Sequence, residues 1–475
     1  MLRILGTRQP TCAGWRRRDV LRAGGAGLLG LSANHLLSAE EAGLVQHATA
    51  KSVLFVFLFG GPSQLETFDL KPEAAERIRG PYRPIACQTP GLLMGEKLPR
   101  LAQISDRYAV VRTVNHPQND HNACHYIQTG RPMPIVPRGA AGVDATDKDW
   151  PALGSVVDYL DVRSGRAGDV PGYVYLPNPL GHIQGYDRLG QYAGWLGRQH
   201  NALATSIRKQ NSTDNPYFRD CTDEELQFRL KELDGNPEVT LDRLAGRRGL
   251  LQQLDDQRRQ LDQSLRLTGF DQTRERAFTL ATSQALRDAL DIRQESAALR
   301  DRYGRHLFGQ SAVVARRMLE AGARFVTLLW DCPDGYSWDS HIHNHDVDKH
   351  LLPGLDQTLS ALLLDMEDRG LLDETLVVCV GEMGRTPVGK PNWGRDHWSY
   401  CFPALLAGGG IRGGVLWGRS DRDAAYPLEN GVSPEDLAAT ILHGLGIDPE
   451  SRILDQQGRP VSLVENGTPL TRLFG

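Results

Sequence analysis

Histidines cluster in the segment His116–His125, where three of them lie within ten residues together with one aspartate and two asparagines. His121 and His125 are four residues apart, so they would share one face of a helix. An imidazole in this segment could be a metal ligand or a base. Single histidines are usually structural, and it is the clustering that indicates chemistry here.

A second cluster, Asp339–Asp346, has an aspartate or a histidine at every second position from 339 to 345. If the segment is extended, the side chains of residues 339, 341, 343 and 345 project to one side. If it is helical, Asp339 pairs with His343, and His341 pairs with His345. Both geometries concentrate imidazole and carboxylate groups in a small volume, which favours metal ligation over a polar surface loop.

Two further segments carry candidate ligands. Gly60–Asp69 follows an apolar run, and its Glu66 and Asp69 are candidate oxygen ligands, although a glycine turn and a capped helix would explain that segment on its own. Glu382 lies just beyond another predicted strand, and Arg385 could bind a phosphate or sulfate group. His397, beside an aspartate, offers one more nitrogen ligand. A surface salt bridge explains any one of these residues but not the set.

The elements that must position these residues alternate between strand and helix. Apolar runs predict buried strands at Val53–Phe59, Arg324–Trp330 and Thr375–Val380. Helical patterns fill the intervals, and Ser433-Pro434 begins a capped helix that should end near His443. This alternation indicates an α/β fold, in which functional groups gather beyond the carboxyl ends of the strands.

Two regions differ from the rest of the chain. Residues 222–303 are rich in charged residues, glutamine and leucine, with a short heptad-like leucine stripe, and predict a helical insert. At the amino terminus, the arginine-rich run Arg16–Arg22 precedes a glycine-rich, weakly apolar stretch. This layout resembles a twin-arginine export signal over residues 1–39. We therefore expect an α/β domain over residues 40–475 and a periplasmic or extracellular location.

Charge and hydropathy exclude several classes of protein. The 475-residue chain has a net charge of −4, and residues 40–475 carry 48 basic and 57 acidic side chains, or −9. This acidic balance argues against nucleic acid as a partner. No internal apolar run is long enough to span a membrane. Seven cysteines without paired C-x-x-C spacing exclude a zinc ribbon or a disulfide scaffold.

Together these segments resemble a bacterial family called domain of unknown function 1501. The similarity covers most of the chain after residue 39, through the stretches Gly60–Pro72, Ala315–Thr327, Trp338–His341, Gly381–Pro387, Gly394–Trp398 and Leu406–Gly414. That family is similar to the alkaline phosphatase and sulfatase superfamily. The resemblance implies a doubly wound, mostly parallel sheet and hydrolysis of phosphate or sulfate esters at one or two metal ions.

The resemblance also implies roles for individual residues. It places metal ligands at Asp339 with His341 or His343, at Glu382 and at His397. The sequence departs from the superfamily in three places, each of which affects the expected chemistry.

The first departure is at the end of the first strand, where Phe59-Gly60 replaces the usual acid and either Glu66 or Asp69 is a candidate substitute. The second is Asp120, which stands where the superfamily has its Ser, Thr or Cys nucleophile. A carboxylate can attack, or the adjacent His121 can activate water. The third is Met383, which replaces an expected histidine.

The sequence therefore predicts an exported hydrolase that requires a divalent metal such as zinc, calcium or manganese. Asp120, His121 and Arg385 are the expected catalytic residues. The substrate would be a small anionic ester or a sulfated or phosphorylated glycan. The alternative is a binding protein of the envelope or extracellular space that keeps the fold without the chemistry. A structural assembly protein that uses the 222–303 helices is a third reading.

Overall fold

The computed structural model describes residues 48–133, 144–181, 187–207, 210, 214–229, 283–331 and 337–475. The expected export signal and the leucine stripe of the expected insert lie outside these residues. Among the described residues, no helix combines the length and apolar character needed to span a membrane.

The strands are named in chain order over the described ranges. They are β1 (Ser52–Leu58), β2 (Pro84–Ala86), β3 (Leu93–Gly95), β4 (Tyr108–Val114), β5 (Tyr173–Leu176), β6 (Leu203–Ala204), β7 (Phe325–Trp330), β8 (Thr375–Val380), β9 (Gly384–Arg385), β10 (His397–Trp398), β11 (Phe402–Ala407), β12 (Leu416–Trp417), β13 (Arg419–Ser420), β14 (Pro427–Glu429), β15 (Arg452–Leu454) and β16 (Pro460–Ser462).

Eight of these strands form one large sheet in the order β12-β4-β11-β8-β1-β7-β5-β6. Strand β11 is antiparallel to both of its neighbours, and every other pair in this sheet is parallel. The three predicted strands are present as β1, β7 and β8, at the centre of the sheet. Their continuous apolar sequences are buried along their whole length, as expected for strands covered on both faces.

The α-helices are also named in chain order. They are α1 (Glu76–Arg79), α2 (Pro99–Gln103), α3 (Ala123–Thr129), α4 (Leu153–Arg163), α5 (Gln284–Leu290), α6 (Ala297–Tyr303), α7 (Leu307–Glu320), α8 (Leu352–Asp368) and α9 (Pro434–Gly444), and a π-helical turn, Val347–Leu351, leads into α8. Helix α9 begins with the predicted cap. The Ser433 side chain accepts from Asp436 N, and the Asp436 carboxylate accepts from Ser433 N.

Helices cover both faces of the large sheet. Leu54 and Val56 of β1 belong to one apolar core with residues of α7 and α8. Val53 and Phe55 belong to a second core with residues of α4 and α9. The expectation of a doubly wound, mostly parallel α/β fold is thus confirmed. Of the expected insert, residues 222–229 and 283–303 are described, and the second of these ranges contains α5 and α6.

The directions of the strands bring the candidate segments to one edge of the sheet. Strands β1, β7 and β8 are parallel, so they end at this edge with Leu58, Trp330 and Val380. Strand β4 runs the same way and ends there with Val114. Because β11 is reversed, its first residue, Phe402, lies at the same edge. The segments after four strands and the segment before a fifth therefore meet.

Candidate metal centre

Four side chains converge at this edge: His121, Asp339, His341 and His397. One ligand atom from each lies within 4.8 Å of the others. Each residue comes from a segment next to a strand end: His121 after β4, Asp339 and His341 after β7, and His397 in β10, which precedes β11. We call these four residues the donor cluster.

Asp339 is the centre of the donor cluster. Its Oδ1 lies 2.9 Å from His341 Nε2 and 3.3 Å from His397 Nε2, while its Oδ2 lies 3.0 Å from His121 Nε2. The two Nε2 atoms of His341 and His397 are 3.0 Å apart. Three imidazole Nε2 atoms and one carboxylate therefore point into the same small volume.

This donor set fits a divalent metal ion better than it fits hydrogen bonding alone. At most one proton can lie between the facing nitrogens of His341 and His397. The buried Nε2 of His121 contacts Asp339 without hydrogen-bond geometry. In a tetrahedral zinc site, ligand atoms about 2.0–2.1 Å from the ion lie roughly 3.3 Å apart, close to the separations found here.

Glu382 lies behind the donor cluster, although the sequence suggested it as a ligand. It is fully buried, and its Oε1 is 2.7 Å from His121 Nδ1. Both carboxylate oxygens also accept from Gly60 N, at 2.9 and 3.1 Å. A carboxylate on Nδ1 accepts the Nδ1 proton and directs Nε2 at the cluster, which is how histidine ligands are commonly oriented.

His341 is oriented in the same way by Asp396. Its Nδ1 lies 2.8 Å from Asp396 Oδ1, which also accepts from Lys390 Nζ at 2.6 Å. Both carboxylate–histidine contacts thus leave an Nε2 atom for the cluster. Unlike Glu382, Asp396 is exposed.

Arg385 holds Asp339 in place. It is buried, and it donates from Nη2 to Asp339 Oδ1 at 2.7 Å and from Nε to the Gly61 carbonyl at 2.9 Å. Its Nη2 also donates to the Gly60 carbonyl, and Nη1 donates to the Arg395 carbonyl at 3.2 Å. With its N–H groups engaged in this way, Arg385 has a positioning role, whereas the sequence suggested that it binds an anion.

The charges of the cluster are strongly coupled. Burial opposes protonation of His121, but the carboxylates of Asp339 and Glu382 outweigh it and raise the pKa of His121 to about 9. Burial also opposes ionisation of Asp339, yet its three histidine contacts hold its pKa far below the usual range. Burial lowers the pKa of His397. The contact with Asp339 also raises the pKa of His341. Without metal, His121 therefore keeps a proton at neutral pH, and metal binding would release it.

The remaining candidate residues lie outside the donor cluster. Glu66 is buried and pairs with Arg395 Nε at 3.0 Å. His343 accepts from His345 N at 3.3 Å and pairs across a bridge with Trp393. Asp120 is exposed, and its Oδ1 accepts from Asn122 N at 2.8 Å.

Sequence reasoning missed one buried acid, Asp331, directly after β7. Burial raises the pKa of Asp331 to about 7, and the charge of Glu382 adds to this effect, while Arg188 and His121 oppose it. Its Oδ2 accepts from Gly181 N at 3.4 Å. The signal that could have found Asp331 is the one that found Glu382, an acid immediately beyond a buried strand.

The fold and the donor cluster define an α/β protein with a candidate metal site at the carboxyl edge of its sheet. Comparison with protein families identifies the family of the chain. Residues 50–474 match the family described as protein of unknown function (DUF1501), and the chain belongs to this family. The resemblance of the sequence to the family called domain of unknown function 1501 is confirmed. No curated protein matches the chain.

Several solved structures are similar to the chain at low identity. Ps i-CgsB in complex with k-i-k-neocarrahexaose is 11% identical, with 84% of this chain and 72% of that chain covered and a TM-score of 0.38. The lipoteichoic acid synthase LtaP from Listeria monocytogenes is 10% identical (89% and 76%, TM-score 0.36). The phosphonate monoester hydrolase SpPMH from Silicibacter pomeroyi is 12% identical (89% and 76%, TM-score 0.36). At these values the likenesses assign no activity to this chain.

Proposed function

We propose that the protein is a metal-dependent hydrolase of phosphate or sulfate esters. The observation that supports this proposal best is the donor cluster itself, three imidazole nitrogens and a carboxylate within 4.8 Å of one another. His121, Asp339, His341 and His397 would hold the ion. A divalent ion at such a site polarises an ester oxygen and lowers the pKa of bound water.

The donor types favour one of the three candidate metals. Imidazole nitrogen suits zinc, whereas calcium and manganese sites are built mainly from oxygen ligands. With three nitrogens and one carboxylate, this cluster is best suited to zinc. Glu382 and Asp396 would keep the Nε2 atoms of His121 and His341 unprotonated and directed at the ion.

Asp120 is our candidate for the group that attacks or activates water. His121 is less suited to a base, because Glu382 engages its Nδ1 and its Nε2 belongs to the donor cluster. Asp120 is adjacent to it and exposed. The loop that carries Asp120 is tied to the other side of the site, since Asn119 Nδ2 donates to the His397 carbonyl at 3.1 Å.

We further propose that the protein acts outside the cytoplasm on a small anionic ester or on a sulfated or phosphorylated glycan. The support for export is the arginine-rich run Arg16–Arg22 with its glycine-rich continuation. The support for an anionic substrate is the cationic charge that a bound divalent ion would bring to the edge of the sheet.

The test begins with elemental analysis of the purified protein and of the His341→Ala/His397→Ala variant. We expect stoichiometric zinc in the wild type and none in the variant. His343→Ala is the matched control, because it removes a histidine from the same segment but outside the cluster, and it should retain zinc. Wild type without metal after reconstitution would reject the proposal.

Turnover is then measured with aryl phosphate and aryl sulfate esters. We expect hydrolysis by the zinc-loaded wild type and a loss of about 10²-fold or more in Asp120→Asn with zinc retained. The engaged N–H groups of Arg385 favour the alternative of a binding protein without catalysis. Full metal content with no turnover of any ester would support that alternative.

A further inference from the structure

A cavity of about 490 Å³ is lined by none of the four residues of the donor cluster. Its volume is within the range of small-molecule sites. We call it the Trp393 cavity. Its polar and aromatic lining residues are Glu76, Arg79, Tyr82, Arg83 and Trp393, and its remaining lining is mainly proline, with Leu70 and Gly80.

The lining of the Trp393 cavity has an excess of positive charge. Arg79 and Arg83 contribute two guanidinium groups, and Glu76 contributes the one carboxylate. Within the described ranges, neither guanidinium has an ion-pair partner, whereas Arg385 and Arg395 each pair with a carboxylate. A guanidinium group donates two parallel N–H groups to two oxygens of a sulfate or phosphate group, so two arginines on one cavity favour such an anion.

The walls of the cavity are held together by hydrogen bonds between distant segments. Arg395 Nη2 donates to the Ile78 carbonyl at 3.2 Å, and Gly389 N donates to the Arg77 carbonyl at 2.8 Å. Asn344 Nδ2 donates to the Tyr82 hydroxyl at 3.1 Å. The cavity is therefore formed before any ligand arrives, and binding would not require ordering of its walls.

Trp393 occupies a backbone position that does not suit it. Its φ is +63°, in the left-handed region, where glycine or asparagine is preferred. Its N–H donates to the Lys390 carbonyl at 2.9 Å, which closes the turn. A bulky aromatic residue adds strain to this turn, and such strain is typical of functional positions. What tryptophan supplies here that asparagine does not is an indole ring on the cavity.

We propose that the Trp393 cavity binds a sulfated or phosphorylated sugar. Arg79 and Arg83 bind the oxyanion, and the indole of Trp393 packs against the apolar face of the sugar ring. Glu76 is placed to accept from ring hydroxyl groups. This site does not rest on the proposed function, because it uses none of the donor cluster residues.

The test is calorimetric titration of the full-length protein with glucose 6-sulfate, glucose 6-phosphate, glucose and inorganic sulfate. We expect the two anionic sugars to bind at least tenfold more tightly than glucose or inorganic sulfate. Arg79→Gln/Arg83→Gln should lower their affinity at least tenfold. Trp393→Asn should do the same, because asparagine keeps the turn and removes the indole.

Arg77→Gln is the matched control, since Arg77 lies in the same helix as Arg79 but does not line the cavity. Its affinity should equal that of the wild type. The titration is repeated with His341→Ala/His397→Ala, in which binding must persist if the sugar occupies the Trp393 cavity rather than the donor cluster. Absence of binding, equal affinity in all variants, equal affinity for inorganic sulfate, or loss of binding in the double histidine variant would each overturn the proposal.

Discussion

Glu382 Oε1 lies 2.7 Å from His121 Nδ1, and the same carboxylate accepts the backbone N–H of Gly60. A residue that follows the strand β8 therefore orients a histidine that follows β4 and fixes the backbone after β1. Glu382, which the sequence suggested as a ligand, thus contacts a donor residue from behind and is not itself one of the four donors.

Glu382→Gln should weaken metal binding without removing the site. The amide cannot hold the Nδ1 proton of His121 as strongly as the carboxylate does, so Nε2 becomes a poorer ligand. Losses of about 10–100-fold in affinity are typical of such changes. The measurement is zinc affinity by competition with a chelating indicator. Asp396→Asn changes the exposed partner of His341 and should have the smaller effect. Equal zinc affinities in Glu382→Gln and wild type would contradict an orienting role of Glu382.

Gly60→Ala should disrupt the centre by steric conflict. Gly60 has φ +105°, and a Cβ there would lie 2.5 Å from Asp339 N, in the backbone that carries the central carboxylate. We expect a lower melting temperature and reduced zinc content. Gly370→Ala is the control, because Gly370 also has a positive φ, +71°, but nothing lies within 4 Å of a Cβ there. It should lower the melting temperature only slightly and leave zinc content unchanged.

Glu66→Gln tests whether Glu66 stabilises the fold or binds the metal. Glu66 and Arg395 are both buried, so removal of the carboxylate leaves the guanidinium charge without its partner. The expected cost is about 3–5 kcal/mol in the free energy of unfolding. Zinc content of the folded variant should equal that of the wild type. Loss of zinc at temperatures where the variant is fully folded would restore Glu66 as a ligand.

His306 predicts a stability change with pH. Its Nδ1 accepts from Gly309 N at 3.2 Å and so caps α7. Burial lowers the pKa of His306 to about 4, whereas the unfolded value is near 6.5. As pH falls below 6.5 the unfolded state takes up the proton first, so stability is full above 6.5 and decreases toward pH 4.

The matched variant for this prediction is His306→Asn, which keeps a capping side chain but does not titrate. Between pH 7 and pH 5, urea unfolding of the wild type should lose about 2 kcal/mol more than that of the variant. Equal losses in the two proteins would show that His306 does not titrate in this range.

The fold was largely predictable because its central strands have unambiguous sequences. Continuous apolar runs located β1, β7 and β8, and a capping box located the start of α9. Four site residues, His121, Asp339, His341 and His397, lie in segments chosen for their composition and position.

The sequence did not distinguish the donor residues from the residues that orient them. Both Glu382 and His397 follow or precede a strand, and only the three-dimensional packing distinguishes the one that contacts histidine Nδ1 from the one that joins the donor cluster. The pairing of Glu66 with Arg395 links residues 329 positions apart, which no local pattern indicates. Arg385 is engaged by the carbonyls of Gly60 and Gly61, which turn toward it only in the folded chain.

The reversed strand β11 has a consequence for biosynthesis. Because β11 brings the segment before it to the site, the last donor, His397, comes from the final fifth of the 475-residue chain. A ribosome must therefore synthesise nearly the whole polypeptide before all four donor residues are present. Truncated products would lack the complete set, so under the proposed function metal occupancy would show that synthesis has reached the carboxyl-terminal part of the chain.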